Sequence, residues 1–429
     1  MKIRHVAFSD IDGGAARAAY RVHQCINSYG SRQNISSDMR VINKLSNDQT
    51  VFGGPGGRNI SRYYYQKILN KLSKSIVSNQ KTNVISTAWP SSGLGEELND
   101  QYKKKEMDIV NLHWLGDLTL SIKEIGRLKM PLTWRLADQW AFCGFEHYAN
   151  NDDNSDEFDL FERGYGSSLD KKFSFNSSSY YWNQKMKFWK KKINIIAPTH
   201  WIADCARRSM VFRESYISVI PTPIDLKKWS PIDKKYAKKI LNLSLDKKIV
   251  LFGAIGGIND SRKGGDLLIK TLRILKSIQL NNNLSDFELV IFGENTSKNN
   301  IPNNIKTHFI GRLKDDIALR LYYSAADLFI LPSRKDNLPG TGIESLACGT
   351  PIVGFDVGGI PDIVDNYKNG ILVEPFKCDL MANEIAKILE GEILNSMSIN
   401  AREKAEKYFN PERISKLYFD HYCSILDMF

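Results

Sequence analysis

The sequence has no long hydrophobic run, which argues against a membrane-spanning helix. Apolar stretches such as IVLFGAIGGI at 249–258 are about half as long as a bilayer requires. The N-terminus, MKIRHVAFSD, lacks the basic segment followed by an apolar core that marks a secretory signal, and it reads as a buried strand. We therefore expect a cytoplasmic protein.

Cysteine is also scarce and unpatterned. The six cysteines form no CxxC pair and show no Cys/His ligand spacing. This distribution is typical of reduced thiols in a cytosol rather than of a disulfide framework. We expect no structural metal.

The length and the order of apolar patterns predict two domains of the α/β class. The chain has 429 residues, too many for one ordinary core. Strand-like apolar runs alternate with helical patterns, which predicts parallel βα units in two Rossmann-like, doubly wound domains. The proline-containing segment 220–239 separates the two series. We predict an N-terminal domain at 1–222, a C-terminal domain at 223–405 and a helical tail at 406–429.

Two segments stand out by composition. Residues 146–180 are polar and rich in Asn, Asp and Ser, which predicts a long surface excursion near a site. The segment KMKFWKKK at 185–192 mixes cations with Phe188 and Trp189, in a chain of net charge +11. Such a surface attracts phosphates, whether of nucleotide-sugars, anionic lipid or nucleic acid. The segment fits contact with an anionic membrane, or equally a solvated face whose rings pack inward.

The most informative segment is ILPSRKDNLPGTGIESLACGTPIVGFDVGGIPDIV at 330–364. A buried strand is followed by a Pro/Gly loop and a helix that opens near Gly342. A helix N-terminus beside glycines presents backbone N–H groups to an anion. Asp336 lies in the loop and Glu344 in the predicted first helical turn, so both carboxylates can face the crevice beyond the strand ends. Alternatively, Glu344 only complements the helix dipole and the glycines only shape a turn.

This arrangement resembles the donor-binding region of the retaining GT-B glycosyltransferases, the glycogen-synthase-like and mannosyltransferase-like superfamily (group 1, family 4). That family carries two glutamates separated by seven residues. Its second glutamate binds the nucleotide ribose and falls on Glu344; its first contacts donor-sugar hydroxyls and falls on Asp336, an aspartate here. The resemblance implies two domains facing each other across a cleft, with the C-terminal helix returning to the N-terminal domain.

Other positions extend the resemblance. In FGAIGGINDSRKGGDLLIKTL at 252–272, Lys263 falls on the family lysine that grips the donor diphosphate, and Arg262 adjoins it. A guanidinium suits a bidentate phosphate contact, although two solvated cations at a helix start would look the same. The remaining positions implied to contact the donor are Gly13, Gly14, Leu338, Pro339, Gly340, Thr341 and Gly342.

The segment PLTWRLADQWAFCGFEHY at 131–148 resembles the family's strand that ends in His-Asp, with departures. Asp138 is kept and is a catalytic candidate with Lys263 and Asp336. Ala137 stands where the family has histidine, and Glu146 where it has cysteine. His113, after a neighbouring strand, is a possible substitute for the missing imidazole or a structural residue.

The resemblance implies transfer of a sugar from a nucleotide-diphosphate-sugar to an acceptor hydroxyl, with retained configuration and with no metal or cofactor. The implied acceptor is a glycan or a lipid-linked glycan for surface polysaccharide, met at the inner membrane face; nucleic acid is not an expected partner. Two alternatives stay open, a sugar-nucleotide epimerase of the same layout and a catalytically impaired sugar-nucleotide-binding protein. A nicotinamide oxidoreductase is disfavoured, because the turn DGGAARA is not a GxGxxG turn.

Overall fold

The chain forms two compact units, one of Met1–Thr222 with Ile414–Phe429 and one of Pro223–Arg413. The second boundary between the units therefore lies at residue 414, within the last helix. The sequence had predicted a helical tail that begins at residue 406. The computed structural model describes residues 1–54, 92–116, 119–149, 160–165, 177–282, 286–293, 301–302, 305–313 and 315–429, with a few positions between 65 and 72.

The first unit contains a seven-stranded parallel sheet of order β3-β2-β1-β4-β5-β6-β7. Its strands are β1 (Lys2–Ser9), β2 (Ser36–Asn43), β3 (Val51–Phe52), β4 (Ile109–Leu112), β5 (Leu132–Arg135), β6 (Asn194–Ala197) and β7 (Ile217–Val219). Its helices are α1 (Gly14–Tyr29), α2 (Leu94–Lys103), α3 (Ile122–Ile125), α4 (Leu160–Arg163), α5 (Ser177–Phe188) and α6 (His200–Arg208).

The second unit contains a six-stranded parallel sheet of order β10-β9-β8-β11-β12-β13. Its strands are β8 (Lys248–Gly253), β9 (Phe287–Phe292), β10 (Thr307–Gly311), β11 (Leu328–Leu331), β12 (Ile352–Phe355) and β13 (Gly370–Val373). Its helices are α7 (Lys234–Ile240), α8 (Gly265–Asn282), α9 (Asp316–Ala325), α10 (Gly340–Ala347), α11 (Ile360–Ile363), α12 (Cys378–Glu390) and α13 (Ile393–Tyr408); α14 (Pro411–Met428) follows.

Both sheets confirm the predicted doubly wound α/β class. The central strands are continuous apolar runs because helices cover both faces of a parallel sheet. Among the strands of the described residues, only β3 was not predicted, and its two residues are too few to give a sequence pattern.

The prediction of a surface excursion at 146–180 is wrong for several residues of this segment that the structure describes. Phe161 and Tyr165 are buried in the core of the first unit, and Glu146 is buried as well. Most of the remaining excursion lies outside the described residues. The aromatic residues at 161 and 165 fill the core, while the polar residues around them gave the segment its surface-like composition.

The C-terminal part of α14 packs on the first unit through polar as well as apolar contacts. Asn111 Nδ2 donates to Tyr422 Oη at 2.7 Å. The His421 ring lies between Thr133 Oγ1 at 2.9 Å and Ser218 Oγ at 2.8 Å. Burial lowers the pKa of His421 to about 3, so the ring is neutral and acts as a fixed donor and acceptor.

All six cysteines carry free thiols, and five of them are buried. Within the described ranges, no helix is long and apolar enough to cross a bilayer.

Candidate functional site

Apart from the additional strand β7 of the first unit, the two sheets have the same strand order. In the second unit, the strand order reverses between β8 and β11. In open α/β sheets, ligands bind beyond the carboxyl ends of the strands where the order reverses. The segments that leave β8 and β11 carry Lys263 and Asp336. The topology therefore puts the sequence-predicted donor residues at the expected place in the fold.

The segment after β8 presents Arg262 and Lys263 on a short helical turn. The Asp260 carboxylate accepts hydrogen bonds from the backbone N–H groups of Arg262 at 3.0 Å and Lys263 at 3.3 Å. Gly264 follows with φ of 73°, and a Cβ there would overlap the carbonyl oxygen of Pro332. Glycine thus allows the segment after β8 to lie directly against the segment after β11.

Asp336 receives both cations. Its Oδ2 accepts from Lys263 Nζ, and its Oδ1 lies 3.4 Å from Arg262 Nη1. Burial alone would raise the pKa of Asp336, but Lys263 and Arg262 hold it below its usual value. The carboxylate is therefore ionised, and each charge is partly neutralised by the others.

Arg334 holds the cation-bearing segment in position. Its backbone N–H donates to the Arg262 carbonyl at 2.9 Å, and its Nη1 donates to the Ser261 carbonyl at 2.9 Å. Its guanidinium also makes a two-point contact with Asp266, at 2.6 Å for each nitrogen. A planar guanidinium can make these contacts at once because its donors are fixed in a fork. Nothing in the sequence singled out Arg334.

Helix α10 begins at Gly340 with Pro339 at the N-cap, two residues before the predicted opening. The Gly342 N–H donates to the Pro339 carbonyl at 3.0 Å. A Cβ on Gly342 would press on Leu331 and Ile363, so this glycine serves helix packing. The Gly342 N–H is thus engaged within the chain, and Leu338 beside the helix start is half-buried.

The predicted placement of Glu344 in the first turn of the helix is wrong. Because α10 starts at Gly340, Glu344 falls in the second turn, and no acidic residue occupies the first. The side chain is buried, and its Oε2 accepts from Tyr323 Oη at 3.1 Å. A helix-dipole role is therefore excluded, since that interaction is confined to the end of a helix.

The glycine turn after β12 supports Asp336 from its backbone side. Gly359 N–H donates to the Asp336 carbonyl at 2.9 Å. Gly358 has φ of 56°, and a Cβ there would overlap the same carbonyl oxygen. The GFDVGGIP motif thus fixes the loop that carries the carboxylate.

In the first unit, Gly13 and Gly14 form the turn from β1 to α1, with Gly13 at the N-cap. Gly13 has φ of 93°, which glycine adopts without strain, and a Cβ on either glycine would meet open space. The buried Asp10 carboxylate orders the neighbouring loop by accepting the backbone N–H groups of Ile11 at 2.9 Å and Ser46 at 2.8 Å.

His113 pairs with His5 on the adjacent strand. His113 Nε2 lies 2.8 Å from His5 Nδ1, and both rings are buried. Burial and the neighbouring His5 lower the pKa of His113 well below its usual value. The imidazole is therefore neutral.

Asp138, a catalytic candidate from the sequence, contacts His147, and the sequence did not predict this contact. His147 Nδ1 lies 2.6 Å from Asp138 Oδ2, across nine residues of chain. Both side chains line a small cavity that is partly open to solvent, together with Trp114 and Ala137. The space left by Ala137 is therefore bordered by a carboxylate, an imidazole and an indole.

Two buried charges support this cavity. Lys185 Nζ donates to the carbonyl of Trp140, and to those of Cys143 at 2.8 Å and Gly144 at 2.7 Å, with the Trp140 ring 4.0 Å away. Burial lowers the pKa of Lys185 to about 7. Glu146 accepts from the N–H groups of Gly144 and Phe145 and from the hydroxyls of Tyr165 and Ser178. These side chains fix the 140–146 loop rather than face a ligand.

The glycosyl transferases group 1 family model matches residues 233–407. Among curated relatives, UDP-Gal:alpha-D-GlcNAc-diphosphoundecaprenol alpha-1,3-galactosyltransferase of Escherichia coli is 28% identical over 215 residues, 48% of this chain and 54% of that protein. The putative teichuronic acid biosynthesis glycosyltransferase TuaC of Bacillus subtilis is 25% identical over 202 residues, 46% of this chain and 47% of that one. The chain spans about half the length of these relatives.

Solved structures match the whole chain. Sucrose-phosphate synthase of Thermosynechococcus elongatus has a TM-score of 0.64 at 18% identity, with 100% of both chains covered. Anabaena Alr3699/HepE in complex with UDP and glucose has a TM-score of 0.63 at 15% identity, covering 99% of this chain and 100% of that one. These likenesses establish the fold as GT-B. The chain thus has the GT-B fold, and its residues 233–407 match the glycosyl transferases group 1 family.

Proposed function

We propose that the chain transfers a sugar from a nucleotide-diphosphate-sugar to an acceptor hydroxyl, with retention of configuration. The observation that carries this proposal is the convergence of Lys263, Arg262 and Asp336 at the strand-order reversal of the second unit. Two cations suit a diphosphate, and carboxylates suit the hydroxyls of a sugar and a ribose.

In the proposed reaction, cleavage of the sugar–phosphate bond leaves negative charge on the departing diphosphate. Lys263, Arg262 and the backbone N–H groups of Gly340 and Thr341 stabilise that charge in place of a divalent metal. Glu344 binds the ribose, and Asp336 accepts from hydroxyls of the donor sugar. Fixed donors are effective here because they need no reorganisation as the charge develops.

We assign acceptor binding to the first unit. The cavity beside Asp138 and His147 offers a carboxylate that can accept a hydroxyl proton and a Trp114 ring against which a sugar can pack. The names of the E. coli and B. subtilis relatives refer to a diphosphoundecaprenol-linked sugar and to teichuronic acid. They support a glycan or lipid-linked glycan acceptor in surface polysaccharide biosynthesis.

A transfer assay with a chelator tests the reaction and the role assigned to the cations. Purified full-length protein is incubated with UDP-, GDP- and ADP-sugars and a glycan acceptor, with and without EDTA. We expect glycosylated acceptor of retained configuration, with less than a twofold change on adding EDTA, because protein cations serve the leaving group. A strict metal requirement would contradict this mechanism. Epimerised donor without acceptor would favour the epimerase, and binding without turnover would favour an impaired binding protein.

We also propose peripheral contact with an anionic membrane through one face of the first unit. Asn99 Nδ2 donates to the Arg127 carbonyl at 3.1 Å, and Trp189 Nε1 donates to the Ile122 carbonyl at 2.8 Å. These contacts hold α3 beside α2 and beside the C-terminal end of α5. Their exposed cations, named here the basic surface, are Lys103, Lys104, Lys105, Lys123, Arg127, Lys129, Lys187, Lys190, Lys191 and Lys192.

The basic surface would bind an anionic membrane through its positive charge. Phe188 and Trp189 pack against the core, as the inward-facing interpretation of 185–192 required, and Lys185 is buried. Each lysine near an anionic bilayer contributes about 1 kcal/mol, which salt screens. The attraction should therefore be strong at low ionic strength and weak at high ionic strength.

Flotation with phosphatidylglycerol vesicles tests the basic surface. We expect binding at low salt, loss of binding in about 0.5 M salt because the Debye length then falls to a few ångströms, and loss in the Lys190→Glu/Lys191→Glu/Lys192→Glu variant. The control places the same three charge reversals at exposed Lys235, Lys239 and Lys407 of the second unit and should still bind. Absence of wild-type binding at low salt would refute the membrane contact.

A further inference from the structure

Lys263 and Arg262, the two cations assigned to the donor diphosphate, already have a counter-ion within the chain. Asp336 is only 6% exposed, and its two oxygens contact Lys263 and Arg262 separately. The Arg262 Nη1 also donates to the Lys335 carbonyl at 3.2 Å, on the same loop. Each cation that we assign to the donor diphosphate is thus already engaged by the loop after β11.

The backbone is fixed on both sides of this contact. Asp260 and Arg334 fix the backbone of 261–263 through four hydrogen bonds. On the other side, Gly359 holds the Asp336 carbonyl and Gly358 lies directly against it. A diphosphate that contacts Lys263 and Arg262 therefore comes within a few ångströms of the Asp336 carboxylate. Like charges at that distance repel strongly in a site with little water.

The repulsion differs between the intact donor and the spent nucleotide. In a nucleotide-sugar the distal phosphate is esterified and carries one negative charge. In a free nucleoside diphosphate it is a terminal group whose second pKa is about 6, so that at neutral pH it carries almost two. The intact donor also brings sugar hydroxyls, which give the Asp336 carboxylate new hydrogen-bond donors. The spent nucleotide brings none.

We propose that Asp336 is a specificity-determining counter-ion that competes with free nucleoside diphosphate for Lys263 and Arg262 and yields to the intact nucleotide-sugar. The inference rests on the proposed function, because it assigns the same cations to the donor diphosphate. Its consequence is that the site favours loaded donor over spent nucleotide. The carboxylate returns to the cations once the sugar has left and helps to expel the product.

Calorimetric titration with UDP, GDP and ADP at low salt tests the proposal, with Asp336→Asn as the main variant. The amide keeps the shape of the side chain and removes its charge. We expect the nucleoside diphosphate that binds wild-type protein to bind the variant about tenfold more tightly, although a binding residue has been replaced. The corresponding nucleotide-sugar should gain less, since its hydroxyls lose a charged acceptor.

Two further variants keep the result interpretable. Asp336→Ser also lacks the charge and should show tighter binding of the nucleoside diphosphate. Asp286→Asn removes a carboxylate 3.1 Å from Lys247 at the amino end of β9 and should leave affinity unchanged. Wild-type binding with equal or weaker binding by both Asp336 variants would overturn this inference alone. If neither wild-type protein nor the variants bound any of the three nucleotides, the inference and the proposed function would both fall.

Discussion

Replacing Lys263 with alanine is expected to lower kcat for sugar transfer by about a hundredfold or more. The ammonium lies at the strand-order reversal, with Asp336 as its partner. In the proposed reaction its charge opposes the charge that develops on the departing diphosphate. That interaction is stronger in the transition state than in the ground state, so kcat should fall more than KM rises. Steady-state kinetics with varied donor measure both quantities.

The controls separate charge from fold. Lys263→Arg keeps the charge and should retain more activity than the alanine variant. Lys306→Ala removes a lysine that pairs with Glu288 at 2.8 Å, near the amino ends of the strands, and should leave kcat unchanged. Thermal unfolding checks that the Lys263 variants are folded. A Lys263→Ala enzyme with wild-type kcat would refute the role assigned to this residue.

The largest stability effect is expected from Lys185→Met, at about 3–5 kcal/mol. Methionine fills a similar volume but donates no hydrogen bond. The carbonyls of Trp140, Cys143 and Gly144 would then stay buried without the partner that Lys185 supplies. The loop they belong to lines the Asp138–His147 cavity, so transfer activity should fall as well. Thermal or denaturant unfolding measures the change, with Tm expected to drop by about 10 °C in a unit of this size.

Lys187→Met is the matched control, on the same helix but exposed. It should change the free energy of unfolding by no more than about 0.5 kcal/mol, as surface substitutions usually do. If Lys185→Met were as stable as Lys187→Met, the three carbonyl contacts would not contribute to stability as proposed.

The fold could be predicted from the sequence because its signals are local. Each buried parallel strand is an uninterrupted apolar run, and the segments between the strands carry helical periodicity. The donor-site candidates could be predicted because strand, loop and helix start follow one another within 330–364. The sequence could not determine which residue begins helix α10, since Gly340 and Gly342 are equally plausible first residues. The choice decides whether Glu344 belongs to the first turn or the second.

The interactions missed at the site join residues that are distant in sequence. Tyr323 contacts Glu344 from another helix, and Arg334 contacts Asp266 across 68 residues of chain. Asp138 and His147 meet only because the loop between them closes, which no periodic pattern predicts.

For Lys185, unlike these contacts, the sequence did contain a signal that the side chain is buried. It follows Tyr181 by four residues and Trp182 by three, and it precedes Trp189 by four. That spacing places Lys185 on the apolar stripe of α5, where the structure shows it buried. The surrounding lysines instead favoured a membrane contact or a solvated face for the whole run of cations.

Glu146 stands where the family resemblance places cysteine. Its contacts make substitutions at the neighbouring positions depend on one another. Its two oxygens accept from two backbone N–H groups and from the hydroxyls of Tyr165 and Ser178. A cysteine at this position would leave most of those donors buried without an acceptor of comparable strength. Single exchanges at Glu146 are therefore costly. Along a lineage, Glu146, Tyr165 and Ser178 should be gained or lost as one set.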